Sequence, residues 1–82
     1  MRLKDIPNLR LTTREKRLLA ECINDHDYNG QEVVSLRNWQ QLSAVKAVQT
    51  VEVAIENDDY NDEEMVSLIR IVMKVTEIVE NE

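Results

Sequence analysis

Apolar residues recur every three or four positions along most of this chain, the spacing that lines one face of an α-helix. Leu18, Leu19, Cys22, Ile23 and His26 share such a face and predict a first helix over about 13–26. Val33, Val34, Leu36, Trp39 and Leu42 predict a second over 30–41. A third is expected over about 45–58, and the last over about 62–80. In that last helix Met65, Leu68, Ile69, Val72, Val75 and Val79 form one stripe, and Leu68, Ile71, Val75 and Ile78 form another beside it. So much apolar girth exceeds what a one-sided surface helix needs. Val51, Val53 and Ile55 alternate as a strand would, but the longer periodicity and the flanking caps favour helix.

Polar residues mark the helix starts. Thr12-Thr13-Arg14-Glu15, Asn29-Gly30-Gln31-Glu32 and Asn61-Asp62-Glu63-Glu64 each read as a capping box, in which the first side chain and the fourth bond each other's backbone amides. Asp62, Glu63 and Glu64 also sit where the helix dipole favours negative charge. Pro7 is the single proline and Gly30 the single glycine, so little interrupts helix. Residues 1–11 read as an N-terminal arm, because Pro7 disfavours a helical Ile6 and Leu9 and Leu11 alternate with polar neighbours.

An internal repeat organises the remainder. Residues 23–36 and 55–68, offset by 32, share eight of fourteen positions, among them Asp27/Asp59, Tyr28/Tyr60, Asn29/Asn61, Ser35/Ser67 and Leu36/Leu68. Each copy reads as a helix, a short Asp-Tyr-Asn turn and a second capped helix. One such hairpin cannot bury its apolar face alone, so two are expected to pack together. The expected fold is all-α: a single domain over 12–82, formed by two tandemly duplicated helical hairpins, about 12–42 and 43–80. A break at Leu42-Ser43, with Ser43 as a weak cap, gives four helices. One continuous helix over 30–57 gives three.

Composition narrows the class. At 82 residues the chain holds one modest core, and small domains of this kind often lean on a disulfide, a metal or a partner. A single cysteine makes no internal disulfide and fits a reducing, cytoplasmic setting. No apolar run is long enough to span a membrane, and the charged start lacks a secretory apolar segment. The net charge of −6 is uneven: residues 1–20 carry six basic and two acidic side chains, residues 21–82 four basic and fourteen acidic. An acidic body suits a basic partner and repels nucleic acid, whereas the basic start suits a phosphate backbone or the protein's own acids.

Few residues carry distinctive chemistry. Asp25-His26-Asp27-Tyr28-Asn29-Gly30 resembles the opening of an EF-hand calcium loop, which would make Asp25, Asp27 and Asn29 oxygen ligands. The resemblance covers six residues, and the position of the bidentate acid holds Leu36. The second copy has Asn57 first and Asp62 in place of the glycine. A helix-capping turn with solvated acids is the plainer account. The run Asp58, Asp59, Asp62, Glu63 and Glu64 is a candidate for docking a basic surface, against the plain account of dipole-favoured acids. Trp39 beside Arg37 is a candidate interface anchor, against partial burial of the indole in the core. Ile71 and Ile78, on the second stripe, are candidates for an intermolecular contact, most simply a homodimer; the competing account has the first hairpin and the arm (Leu3, Ile6, Leu9, Leu11) cover that stripe within one chain. Cys22 and His26 lie four apart on one helix face but lack an orienting acid or an oxyanion site, and no zinc spacing or phosphate-cradling loop is present.

The sequence therefore points to a non-enzymatic protein without cofactor, binding another protein as a regulator or inhibitor, of the compact acidic kind frequent among phage and mobile-element regulators. The alternatives are a nucleic-acid binder using the basic residues of 1–20 and a calcium-responsive module. Because Leu36 supplies no carboxylate, calorimetric titration with calcium should show no micromolar binding; micromolar affinity abolished by Asp25→Ala would establish the EF-hand reading instead.

Overall fold

The computed structural model describes residues 1–26, 33–58 and 60–80, with side chains described to Glu77 in the last helix. Three α-helices carry the fold: α1 over Thr13–His26, α2 over Ala44–Asn57 and α3 over Asp62–Glu80. Two short 3-10 turns, Leu3–Asp5 and Trp39–Gln41, complete the regular structure among the described residues. No β-strand forms among them; Arg2 and Ser43 make an isolated bridge.

The expected helix starts hold where they are described. The Thr12 hydroxyl accepts from the Glu15 amide at 3.1 Å and the Glu15 carboxylate accepts from the Thr12 amide at 3.1 Å. At α3, Asn61 Oδ1 accepts from the Glu64 amide at 2.8 Å and Glu64 accepts from the Asn61 amide at 3.1 Å. Ser43 caps α2 more loosely, accepting from the Lys46 amide at 3.4 Å. Asp58 closes α2 in the left-handed region, φ 54°, a conformation Asp adopts more readily than most residues. The cap expected at Asn29 lies outside the described residues.

The helix expected over 30–41 is not formed in its described part. Residues 33–35 have no regular structure, 36–38 form a turn, and the 3-10 turn Trp39–Gln41 follows. The expected four helices are corrected to three, and the alternative of one long helix over 30–57 is corrected to α2 over Ala44–Asn57. Side-chain amides explain the difference. Asn24 of α1 accepts from the Val34 amide and donates to the Val34 carbonyl, both at 2.9 Å, occupying the groups a helix would use. Asn38 accepts from the Ser35 amide at 2.7 Å and donates to the Val33 carbonyl at 3.0 Å. Such local bonds compete directly with a helical ladder. In the second copy the matching positions are Glu56 and Arg70, which cannot form this lattice, and helix wins.

Each helix packs on both others around one core. Leu18, Leu19, Cys22 and Ile23 of α1 meet Ala47, Val51 and Ala54 of α2 and Leu68, Ile71 and Val75 of α3. The arm belongs to this core. Leu3, Ile6 and Leu11 are buried and Leu9 packs against them. The Leu3 amide donates to the Leu42 carbonyl and the Ala44 amide to the Met1 carbonyl, both at 2.9 Å, so the arm's start is bonded to the start of α2. The first turns of α2 face the last turns of α3, since Ala44, Val45 and Val48 share a groove with Val75 and Thr76; α3 runs antiparallel to α2.

Because Asn61 satisfies the Glu64 amide at the start of α3, Asn61→Ala should cost about 1 kcal/mol, read as a lower urea midpoint at unchanged slope.

Candidate functional site

The chemistry-bearing side chains of α1 serve the fold. Glu15 is 4% exposed and sits against Lys74 of α3, whose ammonium lies 2.8 Å and 2.9 Å from its two oxygens. Lys74 also donates to the Arg10 carbonyl at 3.1 Å. Burial alone would raise the Glu15 pKa; the Lys74 bonds, the Thr12 amide and the Thr12 hydroxyl outweigh it and hold the carboxyl below its ordinary value. Burial pushes the Cys22 thiol up to about 11, with Tyr60 partly offsetting and Asp25 adding to the rise. Burial, then the neighbouring Cys22, Asp25 and Glu21, push the Tyr60 phenol up to about 12. At neutral pH Cys22 is therefore a protonated thiol, donating to the Thr50 carbonyl at 3.7 Å.

The expected interaction residues are dispersed. Trp39 is buried in the core with the Lys16 ammonium 5.6 Å from its ring centroid, while Arg37 is exposed, so the two do not form an anchor pair. Ile71 is 2% exposed, in one core with Leu3, Ile6 and Leu11 of the arm, Leu18, Leu19 and Ile23 of α1 and Val51 of α2. The premise of a water-exposed second stripe at Ile71 is thereby corrected. The Ile78 side chain lies outside the described residues. Among the acids, Asp58 closes α2, Glu64 completes the α3 cap and Glu63 pairs with Arg14 at 3.0 Å across an exposed gap. Asp62 is exposed in the first turn of α3. Asp59 lies outside the described residues, as do Asp27 and Asn29 of the calcium-like loop. Asp25 is exposed at the end of α1.

What the structure does assemble is an apolar surface on α2 and α3. Val45 is 62% exposed and Met73 59%, and Val53, Val66 and Ile69 are also well exposed. On α2, Val45, Val48 and Glu52 follow one another at helical spacing; on α3, Ile69, Met73 and Thr76 do the same. Between the helices lies an open groove of about 390 Å³, lined by Ala44, Val45, Val48, Gln49, Glu52, Val75 and Thr76. The Thr76 hydroxyl is spent inside its own helix, donating to the Val72 carbonyl at 2.8 Å. Among the described residues, Gln49 and Glu52 are the remaining polar groups of the lining, and none of them is basic. Of the groove residues, the sequence pattern marks only Val75, which belongs to both apolar stripes of the last helix. The excess apolar girth of α3 is the signal; it includes Ile69 but places the contact at Ile71 and Ile78, and it passes over Met73 and the α2 wall.

No protein-family model matches the chain, and no curated protein or solved structure matches it.

The Glu15 carboxyl titrates lower in the folded chain than in the unfolded one, so its contribution is complete above about pH 4.5 and is lost as pH falls through the folded value. Lys74 is more than a third exposed, which screens the pair and keeps the effect near the lower end for charged hydrogen bonds. Glu15→Gln should cost about 1.5 kcal/mol at pH 7 and flatten the acid limb of a stability–pH curve measured by urea unfolding.

Proposed function

We propose that this protein is a non-enzymatic binding module that docks a basic protein partner on the outer face of α2 and α3, acting as a regulator or inhibitor of that partner. The observation that carries this reading is an open groove between α2 and α3 with the exposed Val45 and the partly exposed Val48 in its lining, and Ile69 and Met73 exposed on α3 nearby in sequence. Apolar side chains scattered singly on a surface are ordinary; an apolar hollow edged by acids suits an interaction site. Glu52 in the lining and Glu56 one turn further along α2 supply the acids, which suits a basic partner and speeds its association.

The nucleic-acid reading loses support where its basic residues are engaged. Arg14 pairs with Glu63, and Arg2 donates to Gln41 at 3.0 Å. A homodimer loses the exposed Ile71 that motivated it, and a two-fold through the groove would bring Glu52 and Glu56 of both copies into one interface. The buried, protonated Cys22 fits a reducing, cytoplasmic setting.

The test is quantitative capture from the native host with the full chain and with a Val45→Glu/Met73→Glu variant. Both positions are exposed, so the variant should stay within about 1 kcal/mol of the parent in stability. A partner enriched by the parent and lost by the variant supports the reading. A partner retained equally by both overturns the α2–α3 face as the docking site.

A further inference from the structure

We infer that the occupant of the α2–α3 groove is an amphipathic helix carrying large aliphatic residues on one face and Lys or Arg on its flanks. This rests on the reading of the α2–α3 face as a docking surface and specifies what docks there. The shape of the groove selects the element. Its walls are two antiparallel helices, each presenting a stripe along its axis, and helices pack into such furrows with axes about 8–10 Å apart. An extended strand would need unpaired backbone groups to bond, and the backbone of α2 and α3 is committed to their own helices. A small polar ligand would need converging polar groups. The groove instead offers valine methyls, and the Thr76 hydroxyl is already bonded within α3.

The lining also selects the knob. Ala44, Val45, Val48 and Val75 are short or β-branched, so they form a shallow hollow that a long flexible side chain such as Leu or Met fills better than another valine. A helix offering such residues at i, i+3 or i+4, and i+7 places successive knobs along the furrow.

Charge fixes the flanks. Glu52 lines the groove, and Glu56 lies one turn further along the same face of α2. On α3 the described lining is Val75 and Thr76, while Lys74 is held by Glu15 of α1 and Arg70 lies outside the lining. A helix with Lys or Arg beside its apolar face therefore meets opposite charge on the α2 wall, whereas an acidic helix, or a second copy of this face, meets like charge there.

The experiment uses the full chain with labelled valine methyls and three synthetic peptides of about 15 residues, long enough to form a helix on binding. One has Leu at helical spacing with Lys elsewhere. The second has the same composition in scrambled order. The third has Glu in place of Lys. The expected result is saturable shifts at Val45, Val48 and Val75 with the first peptide alone, weakened about tenfold by Glu52→Lys/Glu56→Lys through reversal of two rim charges. Absence of shifts at these methyls with the first peptide overturns the inference. So does an equal response to the scrambled peptide, which would reduce it to charge alone. Shifts that follow protein concentration without peptide would assign the groove to a second copy and overturn it as well. The two readings fail separately: a host partner lost by Val45→Glu/Met73→Glu but not displaced by the first peptide leaves the docking face standing and removes the basic helix as its occupant.

Discussion

Among the described residues, Glu15 is the one carboxylate that the core closes over, and three segments depend on its position. It completes the cap of α1, it receives Lys74 from α3, and through Lys74 it reaches the Arg10 carbonyl at the end of the arm. A buried ion pair contributes little in itself, since desolvation consumes much of the Coulombic gain. What it supplies is a fixed register. A small core made mainly of Leu, Ile, Val and Ala has few bulky shapes to define how helices seat on one another. A bidentate contact between α1 and α3 defines it at one point, and the arm is secured by the same ammonium. Ile71 is enclosed in the core that the arm shares with the three helices, and Ile69 and Met73, on another flank of α3, are exposed.

Helical character, the bounds of α1 and α3, the boxes at Thr12 and Asn61 and the Ser43 cap of α2 were all legible from periodicity and caps. The failure over 30–41 is instructive because it lies within the repeat. Ser35 and Ser67 are equivalent by sequence, yet Ser35 accepts from the Arg37 amide in a turn while Ser67 donates to the Glu63 carbonyl one helical turn back. Identity at eight positions did not ensure one conformation, because Asn24 and Asn38 stand where the other copy has Glu56 and Arg70. Two amides that bond backbone outweigh a pattern of apolar positions, and neither amide looks unusual until its partner is known. The docking face was half legible. The surplus of apolar residues on α3 was visible, but which stripe the core would enclose depended on contacts more than sixty residues apart in sequence, such as Lys74 with Arg10.

The segment 33–38 serves as a strap more than an element. It holds its course through Asn24 and Asn38 and leaves Val33, Leu36 and Arg37 exposed, so it adds little to the core beyond the partly buried Val34. Trp39 then enters the interior, with the Lys16 ammonium over its ring, and the chain reaches Ser43 at the start of α2. The repeat thus yields one full helical hairpin, α2–α3, and one helix followed by a strap. The full hairpin is also the part that carries the groove.

The bonds from Met1 and Leu3 to residues 42–44 have a consequence for how the chain reaches this state. During synthesis the arm leaves the ribosome well before its partners exist: Leu42 and Ala44 follow about forty residues later at roughly 5–20 residues per second, and Lys74 later still. The helices settle on microsecond scales from contacts close in sequence, whereas the arm closes loops that must wait for translation. Its leucines therefore pass a period of seconds in water beside an unfinished core. The basic residues interspersed among them, Arg2, Lys4 and Arg10, keep that segment soluble and repel other nascent arms until α2 and α3 arrive.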